Sequence, residues 1–234
     1  MKRFYKAVGI AAEDGGWRVT LDGRGVKTVG GRPQIAPTQD LAEALAEEWA
    51  AQGEEIVPAS FLLRDMADYA LDVVTPAPDE AVAALLAYAE TDTLCYRGEE
   101  GEALHKRQLA EWEPLLTGAE ARWGLRFERT SGVIHRAQPP ETLARLREVL
   151  SGKDAFTLAA LRSLASLAAS LTLGLLALDE GQDAEALWAA ANLEEDWQAE
   201  LWGWDAEAQA LRARRFRDFA AAMRFASLLR PAAD

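Results

Sequence analysis

The hydrophobic pattern of this chain changes its period near residue 60, and that change limits the folds it can adopt. Before it, Trp17, Val19 and Leu21 alternate with polar residues, which is the two-residue period of a β-strand. After it, apolar residues recur at the spacing of helices almost to the C-terminus. The sequence therefore predicts an α+β fold, in which a small, mostly antiparallel β domain with one helix precedes a larger all-α helical domain.

The predicted small domain covers residues 1–60. Asp14-Gly15-Gly16 and Asp22-Gly23 are turn signals, and they favour an antiparallel sheet whose return strand is Val26–Val29. Thr38 has the residue type of an N-cap, so we expect one helix to begin after it. Residues 124–137 alternate again, and we expect this short β segment to pair with the N-terminal sheet and complete the domain.

The predicted helical domain covers residues 61–234. Gly124 is expected to end one of its helices, because glycine commonly follows the last helical residue. The helical runs are approximately 61–74, 79–91, 102–123, 141–150, 154–178, 183–202 and 205–229. The run 155–178 is apolar, but scattered hydroxyl residues and the lack of basic flanks favour a covered core helix over a membrane span. We therefore expect no membrane insertion.

Charge and cysteine content exclude several classes of protein. The formal net charge of the 234 residues is −13, which argues against nonspecific nucleic-acid binding. Cys95 is the only cysteine, as expected in a reducing compartment. The N-terminal residues are too polar for a secretory signal. We expect a cytoplasmic monomer.

An acidic stretch rich in tryptophan is the most unusual part of the chain. Four of the eight tryptophans lie in Trp188–Trp204, within a longer run, Asp179–Leu211, that holds ten Asp or Glu and no basic residue. Arginines dominate the segment after Leu211. Indoles favour burial and carboxylates favour water, so their combination on one helix indicates a helix with two surfaces to cover.

Helical periodicity separates this stretch into two aromatic faces. Trp188, Glu195 and Trp202 share one face, seven positions apart, and Glu194 lies with Gln198 at the edge of the other. Asp196 lies between the faces. Two interpretations remain open: Glu195 contacts a partner, or it pairs with an arginine of the C-terminal helix.

Candidate catalytic residues are few. The two histidines lie in separate segments without ligand spacing, and the sequence predicts no metal site and no cofactor. Asp92, Cys95 and Arg97 lie close together after a predicted helix. They form a possible reactive set, but no nearby base activates the thiol. The favoured interpretation is structural, with Asp92 capping backbone donors or pairing with Arg97 and Cys95 packing as a small apolar residue.

Short motifs distributed over almost the entire chain carry a family resemblance. The earlier ones are Arg3-Phe4-Tyr5-Lys6, Leu21-Asp22-Gly23-Arg24 with Lys27-Thr28, Ala46-Glu47-Glu48-Trp49, and Thr91-Asp92 with Leu94-Cys95-Tyr96-Arg97. The last are Glu194-Glu195-Asp196-Trp197-Gln198, Trp202-Gly203 and Asp205-Ala206-Glu207-Ala208. In this order and spacing they resemble the F1-ATPase assembly chaperones that hold the unassembled alpha subunit.

The resemblance implies a molecular chaperone without catalytic activity. Its partner would be the alpha subunit of the F1 ATP synthase, bound through an intersubunit surface until the beta subunit replaces it. The expected partner-binding residues are Trp188, Glu194, Glu195, Asp196, Gln198 and Trp202. Two alternatives remain: a small cytoplasmic hydrolase or transferase that uses Asp92, Cys95 and Arg97, and a general acidic helical adaptor for basic partners.

Overall fold

The computed structural model describes residues 1–132 and 134–230 and has the predicted α+β fold. Its packing divides into two compact units. Among the described residues, one contains Met1–Pro78, Asp154–Ala160 and 221–230, and the other contains those of Asp79–Lys153 and Leu161–Ala220. The predicted division at residue 60 stays a prediction, because compactness does not test whether a segment folds alone.

The first unit is built on a small antiparallel sheet. Its strands are β1 (Val8–Glu13), β2 (Gly16–Leu21), β3 (Arg24–Gly25) and β4 (Ile35–Ala36). Strand β2 pairs with the other three, all antiparallel. The two predicted turns are confirmed, since Glu13 pairs with Gly16 and Leu21 with Arg24. The predicted bounds of the return strand, Val26–Val29, are wrong, because the strand is Arg24–Gly25. After it, Val26 still donates to the carbonyl of Val19 at 2.8 Å, and Lys27 forms a single bridge with Pro33.

Helix α1 (Gln39–Ala50) packs its apolar face on the sheet and begins at the predicted cap. The hydroxyl of Thr38 accepts a hydrogen bond from the backbone N–H of Leu41 and donates one to the carbonyl of Leu228. Helix α2 (Leu62–Tyr69) follows and continues as a π-helical turn through Ala70–Val74. The core of this unit includes Val19, Leu41, Leu45 and Phe61, all almost fully buried.

The second unit is mostly helical. The helices that follow α2 along the chain are α3 (Pro78–Glu90), α4 (Ala103–Trp123), α5 (Pro140–Ser151), α6 (Ala155–Ala168), α7 (Leu171–Leu176), α8 (Ala184–Ala191), α9 (Leu193–Trp202) and α10 (Ala206–Ser227). Gly124 ends α4 with a φ of 64°, as predicted. The indole of Trp112 is fully buried and donates to the carbonyl of Ala190 at 2.8 Å. None of the helices in the described part of the chain has the length and apolarity to cross a bilayer.

Two expectations for this region are wrong. The short strand β6 (Thr130–Ser131) pairs in parallel with β5 (Tyr96–Arg97) in a sheet of its own, not with the N-terminal sheet. The run predicted as one helix over 154–178 is two helices, because Ala169 has a φ of 48° and Ser170 caps α7.

Candidate functional site

The acidic, tryptophan-rich stretch is divided by a break at Asn192. This residue has φ and ψ of −115° and 22°, and its side-chain amide donates to the carbonyl of Trp188 at 2.8 Å. Helix α8 ends before it, and α9 begins after it. The predicted single helix over 183–202 is therefore wrong, and the two faces derived from one continuous helix do not extend across the break.

Trp188 belongs to the core rather than to an exposed aromatic face. Its ring lies 6.1 Å from that of Phe216 and 5.5 Å from that of Phe219, and the residue is 5% exposed. Trp202 is 84% exposed. The expectation that these two indoles share one face is wrong, because the non-helical backbone of Asn192 interrupts the helical repeat between them.

Glu195 pairs with Arg212 of α10. Its carboxylate lies 3.2 Å from the guanidinium, and that of Asp196 lies 2.7 Å from the same group. The interpretation that Glu195 pairs with an arginine of the C-terminal helix is thereby confirmed. The Glu195 side chain nevertheless remains 46% exposed. Partial burial raises the pKa of Asp196, and the charge of Arg212 opposes that rise.

Glu194 is tied to α4 by a chain of hydrogen bonds. The amide of Gln108 donates to its carboxylate at 2.6 Å, and the oxygen of that amide accepts from the backbone N–H of Gly98 at 2.8 Å. Burial raises the pKa of Glu194, and the bond from Gln108 opposes the rise. Gln198 lies exposed further along α9. Glu194 thus positions α9, and Gln198 is open to solvent.

Four large apolar side chains are exposed at the end of α9 and the start of α10. Leu201, Trp202, Trp204 and Leu211 are 60%, 84%, 40% and 46% exposed. Gly203 ends α9 with a φ of 87° and turns the chain between the two indoles. We call Glu195 and these four residues the α9–α10 surface. Sequence reasoning identified Glu195 and Trp202 but missed the other three, although the helix-ending glycine between two tryptophans is a signal for them.

A cleft of about 400 Å³ adjoins this surface. Its lining includes Glu185, Trp188, Trp204, Gln209, Arg212 and Phe216. The Arg212 guanidinium lies 5.4 Å from the Trp204 ring centre, within cation–π range. The buried indole N–H of Trp188 has no acceptor in the described residues. Aromatic walls with a paired cation suit contact with another protein rather than covalent chemistry.

The set proposed for an enzyme is buried. Asp92 and Cys95 have no exposed surface, and Arg97 has little. Burial, followed by the charge of Asp92, raises the pKa of the Cys95 thiol, which opposes formation of a thiolate. The guanidinium of Arg97 pairs with Glu113 at 2.5 Å. The residues that sequence reasoning grouped together therefore support the fold and offer no accessible nucleophile.

Comparison with known proteins identifies the family. The family described as ATP12 chaperone protein matches residues 2–120. The chain belongs to the ATP12 chaperone family. The family match ends at residue 120, before α8. The solved structures of ATP12 proteins match nearly the whole chain, including α9 and α10. Atp12 of Paracoccus denitrificans, and a mutant form of it, are each 40% identical, with a TM-score of 0.90 and 98% of both chains covered.

Two further relatives agree with this membership of the ATP12 family. A solved structure from Agrobacterium tumefaciens is 37% identical, with a TM-score of 0.93, and the match covers 98% of this chain and 86% of that one. The mitochondrial atp12 protein of Schizosaccharomyces pombe is 27% identical and is matched over 74% of its length, against 86% of this chain. As a member of the ATP12 family, the chain is an ATP synthase assembly chaperone of bacterial type, and its family is one of chaperones rather than enzymes.

Proposed function

We propose that this chaperone binds the free alpha subunit of the F1 ATP synthase through the α9–α10 surface and shields an intersubunit surface until the beta subunit replaces it. It acts as a cytoplasmic monomer. The observation that carries the proposal is the exposure of Trp202 at the end of an acidic helix. Burial of such a large indole against a partner is favourable and stabilises the complex.

The neighbouring charges fit such a partner surface. Glu195 keeps nearly half of its side chain exposed while it pairs with Arg212, so a basic group of the partner has access to it. Apolar residues beside an accessible carboxylate give both contact area and orientation, which is the usual composition of a protein interface. Asp196 and the ring of Trp188 hold Arg212, the partner of Glu195, and the exposed residues Glu194 and Gln198 extend the surface along α9.

Co-purification tests the partner. The chain is co-expressed with isolated alpha subunit, and the soluble complex is captured through a tag on the chaperone. We expect the alpha subunit to remain soluble and to co-purify. Capture of the beta subunit in place of alpha contradicts the proposed partner, and capture of neither contradicts the proposed function.

Two variants test the surface. Trp202→Ala removes the exposed indole, and loss of a central aromatic contact weakens binding by about 2 kcal/mol, roughly thirtyfold. Glu195→Lys reverses the accessible charge and is expected to abolish co-purification. Val29→Ala and Glu90→Lys are the matched controls, since both side chains are exposed outside the surface. Unchanged binding of Trp202→Ala would exclude this surface.

The alternative of a general acidic adaptor is distinguished by salt. A complex held by charge alone dissociates as ionic strength shortens the screening length to about 3 Å at 1 M. A complex that buries Trp202 and Leu201 retains most of its affinity under those conditions. We expect the second behaviour, measured as the dissociation constant in low and high sodium chloride.

A further inference from the structure

A second cleft, of about 520 Å³, lies on the first unit. The motifs at residues 3–6 and 21–28, which the proposed function does not use, supply much of its wall. Phe4 and Tyr5 come from the first motif, and Arg24 and Lys27 come from the second; Trp49 and Arg64 are also part of the lining. Two segments of family motif therefore meet at one concave site.

The cleft is cationic on a strongly acidic protein. Arg24 and Lys27 are exposed, and no carboxylate in residues 1–132 or 134–230 forms an ion pair with either. The carboxylate of Asp22 also lines the cleft, and backbone N–H groups of Ala7 and Lys6 lower its pKa, so it stays charged. Arg24 and Lys27 outnumber it. Two unpaired cations beside one cleft, in a chain of net charge −13, favour an anionic ligand.

Two donors in the same wall lack acceptors. The indole N–H of Trp49 and the Nε–H of Arg64 are buried, and neither finds an acceptor among the residues that the structure describes. Trp49 itself is 7% exposed. The Arg64 guanidinium lies 5.6 Å from the Trp49 ring centre. Both atoms have almost no accessible surface, so they lie behind the cleft wall and do not reach a ligand in it. The case for an anionic ligand therefore rests on the exposed cations Arg24 and Lys27.

The backbone argues for a carboxylate on a peptide rather than a phosphate. Phosphate sites use free backbone N–H groups at a helix N-terminus. Here the N–H groups of Leu63 and Arg64, in the first turn of α2, already donate to Glu48. The exposed ring of Phe4, edge-on to Tyr5 at 5.3 Å, offers an apolar wall that a free phosphate does not need.

The geometry points to a docking cleft for an acidic segment of a partner protein, with a carboxylate beside Arg24 and Lys27 and an apolar side chain against Phe4. This site is additional to the α9–α10 surface and opposite to it in charge. Since it consists of residues of the first unit alone, it does not depend on the identity of the partner bound through α9 and α10.

A peptide titration of the full chain tests this inference. The probe is a peptide with blocked ends and the sequence Gly-Asp-Leu-Glu-Phe-Gly. The control peptide has Asn and Gln in place of Asp and Glu. The readout is the indole N–H resonance of Trp49, assigned with Trp49→Phe. We expect a saturable shift with the acidic peptide and binding at least about tenfold weaker with the amide peptide. Equal responses to both peptides, or none, overturn the inference.

Charge variants locate the site. The double variant Arg24→Glu with Lys27→Glu is expected to lose the shift, and Arg24→Gln with Lys27→Gln is expected to weaken binding at least about tenfold without reversing charge. The control variant is Lys106→Glu with Lys153→Glu, which makes the same change of charge at exposed positions outside the cleft. We expect this variant to keep the shift of the Trp49 resonance. Thermal unfolding verifies that each variant is folded.

Two outcomes of these measurements decide against a peptide site. Retention of the shift in both Arg24 and Lys27 double variants overturns the inference, and so does a saturable shift of equal size with sodium phosphate. No alpha subunit is present in the titration, so a failed co-purification leaves its result unaffected.

Discussion

Asp92 accepts a hydrogen bond from the backbone N–H of Thr172 at 2.9 Å, although eighty positions separate the two residues. Its second oxygen accepts from the N–H of Leu94 at 3.1 Å. The carboxyl is fully buried; burial raises its pKa, and these hydrogen bonds oppose the rise. The predicted capping role of Asp92 is confirmed, and the same side chain also holds the start of α7.

Asp92→Asn is expected to lower the free energy of unfolding by about 1–3 kcal/mol. Each carboxylate oxygen accepts one backbone N–H, and an amide necessarily turns its NH₂ group toward one of those donors. Urea denaturation measures the loss. Asp14→Asn is the control, since Asp14 is an exposed turn residue and asparagine is equally suited to that turn. Equal stability of the two variants would show that the burial of Asp92 is unimportant.

Gly16→Ala is expected to destabilise the protein by about 2–5 kcal/mol. Its φ is 150°, and an added Cβ would lie 2.1 Å from the carbonyl oxygen of Ala36 on the paired strand β4. Gly15→Ala is the matched control, because Gly15 also has a positive φ but open space around it, so that its cost is only about 1–2 kcal/mol. Thermal and urea unfolding of both variants check the difference, and the prediction fails if Gly15→Ala is the more damaging change.

Cys95 is expected to react with a thiol reagent only when the protein unfolds. It is fully buried, and its raised pKa disfavours the reactive thiolate. The rate of modification in native buffer should therefore follow the rate of opening, whereas in urea the thiol should react at once. Rapid modification of the native protein would revive the alternative of a cysteine enzyme.

Glu48 gives a prediction about pH. Its two oxygens accept from the backbone N–H groups of Leu63 and Arg64, yet burial raises its pKa above the ordinary value. The folded state therefore holds the proton more tightly than the unfolded state, and the free energy of unfolding falls as pH rises through that window. The Glu48→Gln variant has no titratable group at this position, so its stability lacks this contribution to the pH dependence.

Urea denaturation at about pH 4 and at about pH 7 tests the effect of Glu48. We expect the wild-type protein to lose more stability over this interval than the glutamine variant. At neutral pH the variant also leaves one backbone donor facing an NH₂ group, at a cost of about 1–3 kcal/mol. Parallel pH profiles for the two proteins would contradict the raised pKa.

Glu195→Lys is expected to keep the fold. The Glu195–Arg212 pair is partly exposed, and such pairs contribute at most about 1 kcal/mol. Arg212 also retains Asp196 as a partner. Circular dichroism and thermal unfolding should therefore change little while binding of the alpha subunit is lost. An unfolded variant would assign Glu195 a structural role.

Local sequence signals predicted the parts of this fold that depend on neighbouring residues. The α+β class, the cap at Thr38 and the glycine stop at Gly124 follow from the side chains and backbone freedom of those positions. The break between α6 and α7 at Ala169 does not follow from such local signals. Its freed carbonyl accepts from both the N–H and the hydroxyl of Thr93, and this contact spans 76 positions, so local periodicity carries no trace of it.

The candidate site shows the same division between local and distant information. Glu195 and Trp202 were found from their spacing and from family resemblance, and their role in binding stays a prediction. Periodicity failed at Asn192, because a side-chain amide that bonds to the carbonyl of Trp188 ends α8 without glycine or proline. The partner of Glu195 required the structure, since several arginines follow α9 and only the fold selects Arg212.

Helix α9 buries one side chain, that of Leu193, and its other described residues are partly or fully open to solvent. Substitutions along it therefore cost the fold little, because most of them remove no core contact. Over evolutionary time such a helix can change its surface together with that of the proposed partner, while Trp112 and the buried face of α4 preserve the packing of the unit. Helix α9, the proposed recognition element, is thus almost free of the packing constraints that act on the core.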